Sequence, residues 1–223
     1  MLFNERIIAE ALPAMLEGLV LTVEIAVWGM VVALGIGLGV AAVGLSRYGA
    51  LRAAANLWLT LLRGVPLLVF MYWLYYGMPQ ATGANLGPFL AAVLALGLTG
   101  SAYMAEVYRS GLQAVDVGQH EASAALGLPG MTAFWRVTFP QAARFIIGPS
   151  INVFVGLLKG ATIVSVIGVA DMLYVAKQVS TRSFAPFELY STAGVILIAI
   201  TVVVALAGLL IERRLDRGRV RHG

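Results

Sequence analysis

The sequence has no cysteine among its 223 residues, and only 12% of its residues are charged. Without cysteine, the chain has no disulfide, no thiolate metal site and no cysteine nucleophile. A soluble domain carries about 25% charged and about 45–50% apolar residues. Here 60% are hydrophobic and the mean hydropathy is +0.89. These values exclude an ordinary soluble domain and indicate one all-α membrane domain, in which each spanning helix needs about 20 apolar residues.

Sets of catalytic or metal-binding residues are missing as well. The two histidines, His120 and His222, lie far apart and are not placed to share a metal ion. The acidic residues are scattered, and no pair suits general acid–base catalysis. No Gly-x-x-x-x-Gly-Lys loop is present to bind ATP. We therefore expect no enzyme activity, no metal and no cofactor bound by this chain.

Five apolar segments predict five transmembrane helices. The spans are expected at residues 18–45, 55–77, 89–108, 143–158 and 188–211, with a second, shorter helix at 161–177 that completes a broken fourth span. Pro66 should kink the second span, because proline lacks the N–H of a helical hydrogen bond. Before the first span, residues 1–17 predict a short interfacial helix, broken or re-aimed at Pro13. Residues 214–223 form a basic tail.

The distribution of lysine and arginine predicts the orientation. The 46–54 loop and the 109–144 region carry two and three basic residues, the 78–88 loop carries none, and the C-terminal tail is rich in arginine. Because basic residues favour the cytoplasmic side, the N-terminus is expected outside and the C-terminus in the cytoplasm. Only the 176–187 loop, with two basic residues, opposes this orientation. The same pattern explains the net charge of +4 without a nucleic acid partner.

A short polar stretch between two apolar segments is unusual for a membrane protein. Gly118 and Pro129-Gly130 bracket a helix expected at 119–128, with Ala122, Ala125 and Leu126 on one face. Glu121 lies in the first turn, where a carboxylate favours a helix N-terminus. The stretch is either a solvated loop helix or a small knob whose alanines allow close seating in a groove of a partner protein.

This stretch resembles the EAA loop of bacterial ABC importer permeases. Glu121-Ala-Ser123 is followed by Gly127 and by Val137-Thr-Phe-Pro140 at the spacing of that pattern. The pattern itself reads Glu-Ala-Ala, three residues, Gly, nine residues, Ile-x-Leu-Pro. Three positions depart conservatively from it: Ser123 replaces alanine, Val137 replaces isoleucine and Phe139 replaces leucine.

Further motifs in the same order extend the resemblance to about residues 14–213. They are similar to the polar amino acid branch of these permeases, which includes importers of histidine, arginine, glutamine, glutamate and cystine. The motifs are Leu62-Arg-Gly-Val-Pro-Leu-Leu68, Tyr76-Gly-Met-Pro79, Ala102-Tyr-Met-Ala-Glu-Val-Tyr-Arg109, Gly118-Gln119, Pro140-Gln-Ala142, Leu157-Leu-Lys159 and Ser165-Val-Ile-Gly-Val-Ala-Asp171.

The resemblance implies a type I ABC importer transmembrane domain, over about 18–213, in the bacterial cytoplasmic membrane. Two permease subunits would form the pathway, two ATPases with bound ATP and magnesium would dock on the EAA loops, and a solute-binding protein would deliver a polar amino acid or a close derivative. The residues expected to couple the chain to its ATPase are Glu121, Ala122, Ser123, Ala125, Gly127 and Pro140. Pro140 and Gly127 are expected to fix the geometry of the lever.

Polar residues in or beside the spans are candidates for the translocation path, since an intramembrane ionisable group is a functional candidate by default. These candidates are Arg63, Glu106, Asn152, Lys159, Thr162 and Ser165. Where the resembling branch commonly has acidic residues, this chain has Val153 and Gly160. Lys159 could therefore contact substrate, hold a structural position, or pair with Glu106 or Glu24.

Two other classes of membrane protein are alternatives. An ATP-independent secondary transporter or channel would need coupling-ion carboxylates in the spans and usually has inverted repeats, and the sequence shows neither clearly. A structural or signalling membrane protein would need neither a broken fourth span nor a cytoplasmic knob. The permease interpretation accounts for both features.

Overall fold

The computed structural model describes residues 5–216, and within this range the chain is helical and has no β-strand. The α-helices are α1 (Glu5–Gly44), α2 (Gly49–Gly64), α3 (Leu67–Tyr72), α4 (Met78–Thr82), α5 (Pro88–Gln113), α6 (Val117–Ala125), α7 (Gly130–Ala133), α8 (Phe139–Gly160), α9 (Met172–Ser183) and α10 (Pro186–Asp216). Two π-helical segments, Trp73–Gly77 and Phe134–Thr138, and a 3-10 helix, Ala161–Ile167, continue neighbouring α-helices.

Four helical stretches between residues 5 and 216 are long and apolar enough to cross a membrane. They are Glu5–Gly44, Pro88–Gln113, Gly130–Ile167 and Pro186–Arg214. The helix pair Gly49–Gly64 and Leu67–Thr82 makes a fifth span if its two parts are counted together. The described range thus holds four or five candidate spans. The predicted number of five is reached only if the bent pair counts as one span.

The first helix continues through Pro13, so the break predicted there does not form, and from Glu5 onward the helix expected at 1–17 is continuous with the first span. A proline inside a helix removes one hydrogen bond and costs about 3 kcal/mol. Packing on both sides of the proline offsets this cost: Ala11 and Met15 are buried in one cluster with Met172 and Leu189. Because the same cluster holds both turns, α1 stays continuous.

The predicted kink at Pro66 is a sharp corner, with α2 and the helix after it bent by 100°. Val65 has φ −84° and ψ 128°, and Pro66 has φ −58° and ψ 131°. A residue before proline is pushed out of the helical region, which explains the extended Val65. The helical segment beyond the corner ends at Thr82, inside the loop predicted at 78–88.

The centre of the bundle is the packing of α1 against α5. A Cβ atom on Gly37 would lie 2.7 Å from Cβ of Met104, and one on Gly97 would lie 2.6 Å from Cβ of Val32. Such distances leave no room for a side chain, so these glycines allow the two backbones to approach closely. By contrast, a Cβ on Gly35 would meet no atom within 4 Å.

The fourth span begins earlier than the predicted residue 143, because helix starts at Gly130 and continues through the π-helical segment. At the predicted break beside Gly160 the α-helix ends, but the chain continues without interruption as the 3-10 helix from Ala161. Buried Leu157, Leu158 and Ala161 hold the chain helical across that position. The break falls instead at Gly168, which has φ +83° and ends the 3-10 helix.

The helix predicted at 161–177 is therefore two elements, the 3-10 helix and α9, joined by Gly168–Asp171. Helix α9 continues to Ser183, so only Phe184 and Ala185 of the predicted 176–187 loop lie outside the helices. Phe184 has φ 52° and makes the turn into α10. Helix α10 covers the predicted span at 188–211 and continues beyond it. Most of the predicted basic tail, at 217–223, lies outside the described residues.

Candidate coupling and translocation sites

The helix expected at 119–128 is α6, and it begins and ends with defined caps. Asp116 is the N-cap, and its Oδ1 accepts a hydrogen bond from the Gly118 N–H at 2.7 Å. An N-cap carboxylate satisfies an N–H group that the first turn of a helix leaves unpaired. The helix therefore begins at Val117, slightly before the predicted start.

The C-terminal end of α6 is set by Gly127, which has φ +67°. The Gly127 N–H bonds to the Ala124 carbonyl at 2.9 Å, and the Leu128 N–H bonds to the Ser123 carbonyl at 3.1 Å. This pair of bonds around a left-handed glycine is a Schellman motif. Gly127 thus ends α6 and directs the chain toward α7, and its role in the geometry of the lever stays a prediction.

The predicted coupling residues divide between two faces of α6. Glu121, Ala122 and Ala125 are exposed, and Leu126 just beyond the helix is 77% exposed. Ser123 is buried at 5% exposure, and its hydroxyl donates to the Gln119 carbonyl at 2.7 Å. The outward face offers a carboxylate, small side chains and one apolar side chain, whereas Ser123 faces its own chain.

A side-chain hydrogen bond connects α6 to the start of α8, within the span Gly130–Ile167. Gln141 Nε2 donates to Gln119 Oε1 at 3.1 Å and to the Val137 carbonyl at 3.1 Å. Pro140, the last predicted coupling residue, is exposed near the start of α8 beside this contact. Gln119 and Gln141 stand in the quoted sequence motifs, but sequence alone gave them no role.

Two cavities share Tyr103 in their lining, one beside α2 and the other between α3, α5 and α8, and we call the pair the translocation groove after the predicted translocation residues that line it. Their volumes are about 450 Å³ and about 430 Å³, and both are lined by Tyr103. The lining residues are Leu59, Thr60, Arg63, Gly64, Leu67, Leu96, Thr99, Tyr103, Asn152, Val153, Gly156 and Leu157. Two predicted translocation residues line this pair of cavities: Arg63 faces the cavity beside α2, and Asn152 faces the other, with Tyr103 common to both.

Sequence reasoning did not identify Tyr103 and Thr99 as groove residues. The Arg63 guanidinium carbon lies 5.2 Å from the Tyr103 ring centroid, within cation–π distance. Thr99 lies one turn earlier on α5, and its buried hydroxyl oxygen has no hydrogen-bond partner in the described structure. The four-residue spacing of this pair places both on one helix face, which is the signal that points to them.

The other predicted translocation residues lie elsewhere. Lys159 lines a separate cavity of about 300 Å³ with residues of α10. Glu106 pairs with Arg109 at 2.5 Å, so the suggested pairing of Lys159 with Glu106 is not the one that forms. The Thr162 hydroxyl donates to the Lys159 carbonyl at 2.7 Å, and Ser165 lies in the 3-10 helix.

Asp171 is a fully buried carboxylate in the connection between the span that ends at Ile167 and α10. Its Oδ1 accepts the Tyr174 N–H at 2.9 Å and caps α9, while Oδ2 has no partner among the described residues. Burial raises the pKa of Asp171 from 3.8 to about 6, and backbone hydrogen bonds partly oppose that rise. Across residues 5–216, no group of three His, Cys, Asp or Glu side chains could hold a metal ion.

Comparison with known proteins identifies the family. The profile of the binding-protein-dependent transport system inner membrane component matches residues 32–218. The chain belongs to this family. Members are translocation subunits of ABC transporters in the inner membrane, and ATP hydrolysis is carried out by separate subunits. Membership implies an ATPase, a substrate-binding protein and a second permease as partners.

Three relatives illustrate how far the similarity of this inner membrane component extends. The arginine transport system permease protein ArtQ of Bacillus subtilis is 32% identical over 92% of this chain and 93% of ArtQ. The probable amino-acid ABC transporter permease PatM of Vibrio harveyi is 32% identical over 98% of this chain and 99% of PatM. The octopine transport system permease OccQ of Agrobacterium tumefaciens is 33% identical, with 93% and 92% covered.

Solved structures show the same fold for this inner membrane component. A crystal structure of an amino acid ABC transporter with histidines matches with a TM-score of 0.87 and 34% identity, covering 93% of this chain and 96% of that chain. An inward-facing conformation of the MetNI methionine ABC transporter matches with a TM-score of 0.71 and 18% identity, covering 96% and 99%. The second likeness shows the fold alone.

Proposed function

We propose that this chain is the permease subunit of an ATP-driven importer that passes a polar amino acid or a close derivative into the cell by alternating access. The observation that carries the proposal is α6, an exposed and capped helix between two membrane-spanning helices. The names of the relatives support the substrate class, because they describe permeases for arginine, octopine and other amino acids.

The proposed topology has five spans, with the N-terminus outside and the C-terminus in the cytoplasm. It counts α2 to α4 as one broken span. This topology places α6, which follows the third span, on the cytoplasmic side. The basic residues of the 46–54 loop and the 109–144 region support that side.

In the proposed mechanism, each of two partner ATPases binds ATP and magnesium and receives one α6 helix in a surface groove. Glu121 faces a basic group there, and Ala122 and Ala125 allow close seating. Closure of the ATPase pair moves α6 as a rigid body, and the contact between Gln119 and Gln141 transmits that movement to α8. The two permease cores then rock about a shared pathway and alternate its access.

The substrate path in this chain is proposed to follow the translocation groove. Arg63, Tyr103, Thr99 and Asn152 supply the polar contacts, and the remaining lining is apolar. A mostly apolar cleft with a few convergent polar groups is the usual composition of a small-molecule site.

The test is reconstitution of the permease, its ATPase and its binding protein in vesicles, with radiolabelled polar amino acids supplied outside. We expect uptake that requires internal ATP and is lost in Glu121→Arg, while that variant still inserts in the membrane. Equal uptake by Glu121→Arg would remove α6 from the coupling role. Uptake by the chain alone, driven by an ion gradient, would instead indicate a secondary transporter.

A further inference from the structure

The described residues that line the translocation groove carry a single charge, and it is positive. Arg63 is its one charged lining residue, and no aspartate or glutamate is among the described residues that face either cavity. A cation that leaves water for such a groove loses hydration and gains no counter-charge, whereas an anion gains one. The groove is therefore electrostatically suited to a carboxylate.

Arg63 has its hydrogen-bonding capacity available. It lies in the last turn of α2, next to the corner at Val65 and Pro66, and its side chain is exposed. Within residues 5–216 it forms no ion pair or hydrogen bond, and its guanidinium lies over the Tyr103 ring. The guanidinium has five N–H donors, and the ring contact leaves enough of them free for two parallel hydrogen bonds to a carboxylate.

The rest of the groove offers neutral acceptors and apolar surface. The Thr99 hydroxyl is buried without a partner, which is costly unless a ligand supplies one. Asn152 on α8 adds a side-chain amide. These groups can bind an ammonium group that lies next to a carboxylate. Leu67, Leu96 and Val153 leave only apolar contacts for the remainder of the ligand.

We propose that the translocation groove binds the carboxylate of the substrate at Arg63 and disfavours substrates whose side chain carries a positive charge. This inference rests on the proposed function and specifies the substrate class at that site. Neutral or acidic amino acids fit the groove, whereas arginine and lysine would place a second cation among apolar residues and near Arg63.

The test uses the complete permease and ATPase complex without its binding protein, because the binding protein would impose its own selectivity. Glutamine, glutamine α-amide, in which a neutral amide replaces the α-carboxylate, and arginine are each titrated into the complex by calorimetry. We expect glutamine to bind at least about tenfold more tightly than its amide or than arginine, the scale of one charge-assisted contact. Arg63→Gln should remove the preference for glutamine over the amide, and Arg63→Lys should retain part of it.

A gain-of-function variant tests the charge argument separately. Val153→Glu places a carboxylate in the groove and should raise arginine affinity about tenfold, while the control Val153→Gln, which has similar volume and no charge, should not. Arginine binding equal to glutamine in the native complex, or glutamine binding unchanged in Arg63→Gln, would overturn the inference. If ATP-dependent uptake persists with those results, the proposed function stands and only this inference fails. If no amino acid uptake depends on ATP, both fail.

Discussion

Gln141 at the start of α8 donates a hydrogen bond to the Gln119 side chain on α6, at 3.1 Å across 22 sequence positions. Within the region between the third and fourth spans, this contact links the exposed helix directly to a membrane-spanning helix. It is exposed, so its contribution to stability is about 1 kcal/mol or less. In the proposed mechanism its importance is mechanical, because it connects α6 to α8.

We therefore predict that Gln141→Met lowers the amount of amino acid imported per ATP hydrolysed severalfold and leaves the thermal midpoint almost unchanged. Methionine keeps the length of the side chain and removes its donor. Transport and ATP hydrolysis are measured together in proteoliposomes. Gln178→Met, at an exposed position on α9, is the matched control. Equal coupling ratios in the two variants would assign the transmission to other contacts.

Gly127→Ala should disturb the end of α6, because a Cβ atom in the left-handed region costs about 1–2 kcal/mol. We expect faster hydrogen exchange at the Leu128 N–H, whose bond to Ser123 closes the motif, together with reduced uptake. Gly35→Ala is the control. It lies in a helix with open space around the new methyl, and alanine there should stabilise by about 0.5–1 kcal/mol. Unchanged exchange at Leu128 would show that the turn tolerates alanine.

Gly37→Leu should destabilise the bundle by at least about 1–3 kcal/mol, because the new side chain has no space against Met104. A lower thermal midpoint in detergent would measure this loss. Gly39→Leu, where no atom lies within 4 Å of the Cβ position, controls for the glycine replacement itself. Similar midpoints for the two variants would contradict close packing of α1 on α5.

The buried carboxyl of Asp171 should make the stability of the folded protein depend on pH. Its folded pKa, about 6, is higher than the ordinary 3.8, so the folded state binds the proton more tightly than the unfolded state. The stabilisation from the protonated carboxyl is complete below about pH 4 and is lost as the pH rises to about 6 and beyond.

Asp171→Asn retains a capping oxygen and cannot titrate, so the difference between native and variant thermal midpoints isolates this carboxyl. Measured from pH 4 to pH 7.5, the native protein should lose stability relative to the variant as the pH rises, with most of the change below about pH 6. A difference that is constant with pH, or that changes in the opposite direction, would contradict the prediction.

Sequence patterns identified the elements whose signals are local. Pro66 predicted a break because proline restricts its own backbone and that of the residue before it. The polar stretch predicted α6 to within a few residues. Long apolar runs located the spans, since hydropathy does not depend on tertiary contacts.

The patterns failed where tertiary packing overrides a local signal. In the sequence, Pro13 and Gly160 both indicate a break. Buried neighbours nevertheless keep α1 continuous at Pro13 and keep the chain helical beyond Gly160, where α8 passes into the 3-10 helix. The sequence gives no signal that distinguishes Gly168 from other glycines, and its positive φ is seen only in the structure. The translocation groove could not be predicted from the sequence either. Arg63 and Tyr103 belong to different helices, and their contact depends on how α2 packs against α5.

The uninterrupted α1 has a consequence for the height of the protein. Its 40 residues, at about 1.5 Å each, make a rod of about 60 Å, roughly twice the thickness of the hydrocarbon layer. Even a tilt of about 40° leaves some 46 Å along the membrane normal. Part of the rod must therefore stand in water, and the charges at Glu5, Arg6, Glu10 and Glu17 mark its N-terminal end as that part. The packing of α1 against α9 and α10 then supports the part of α1 that extends beyond the lipid.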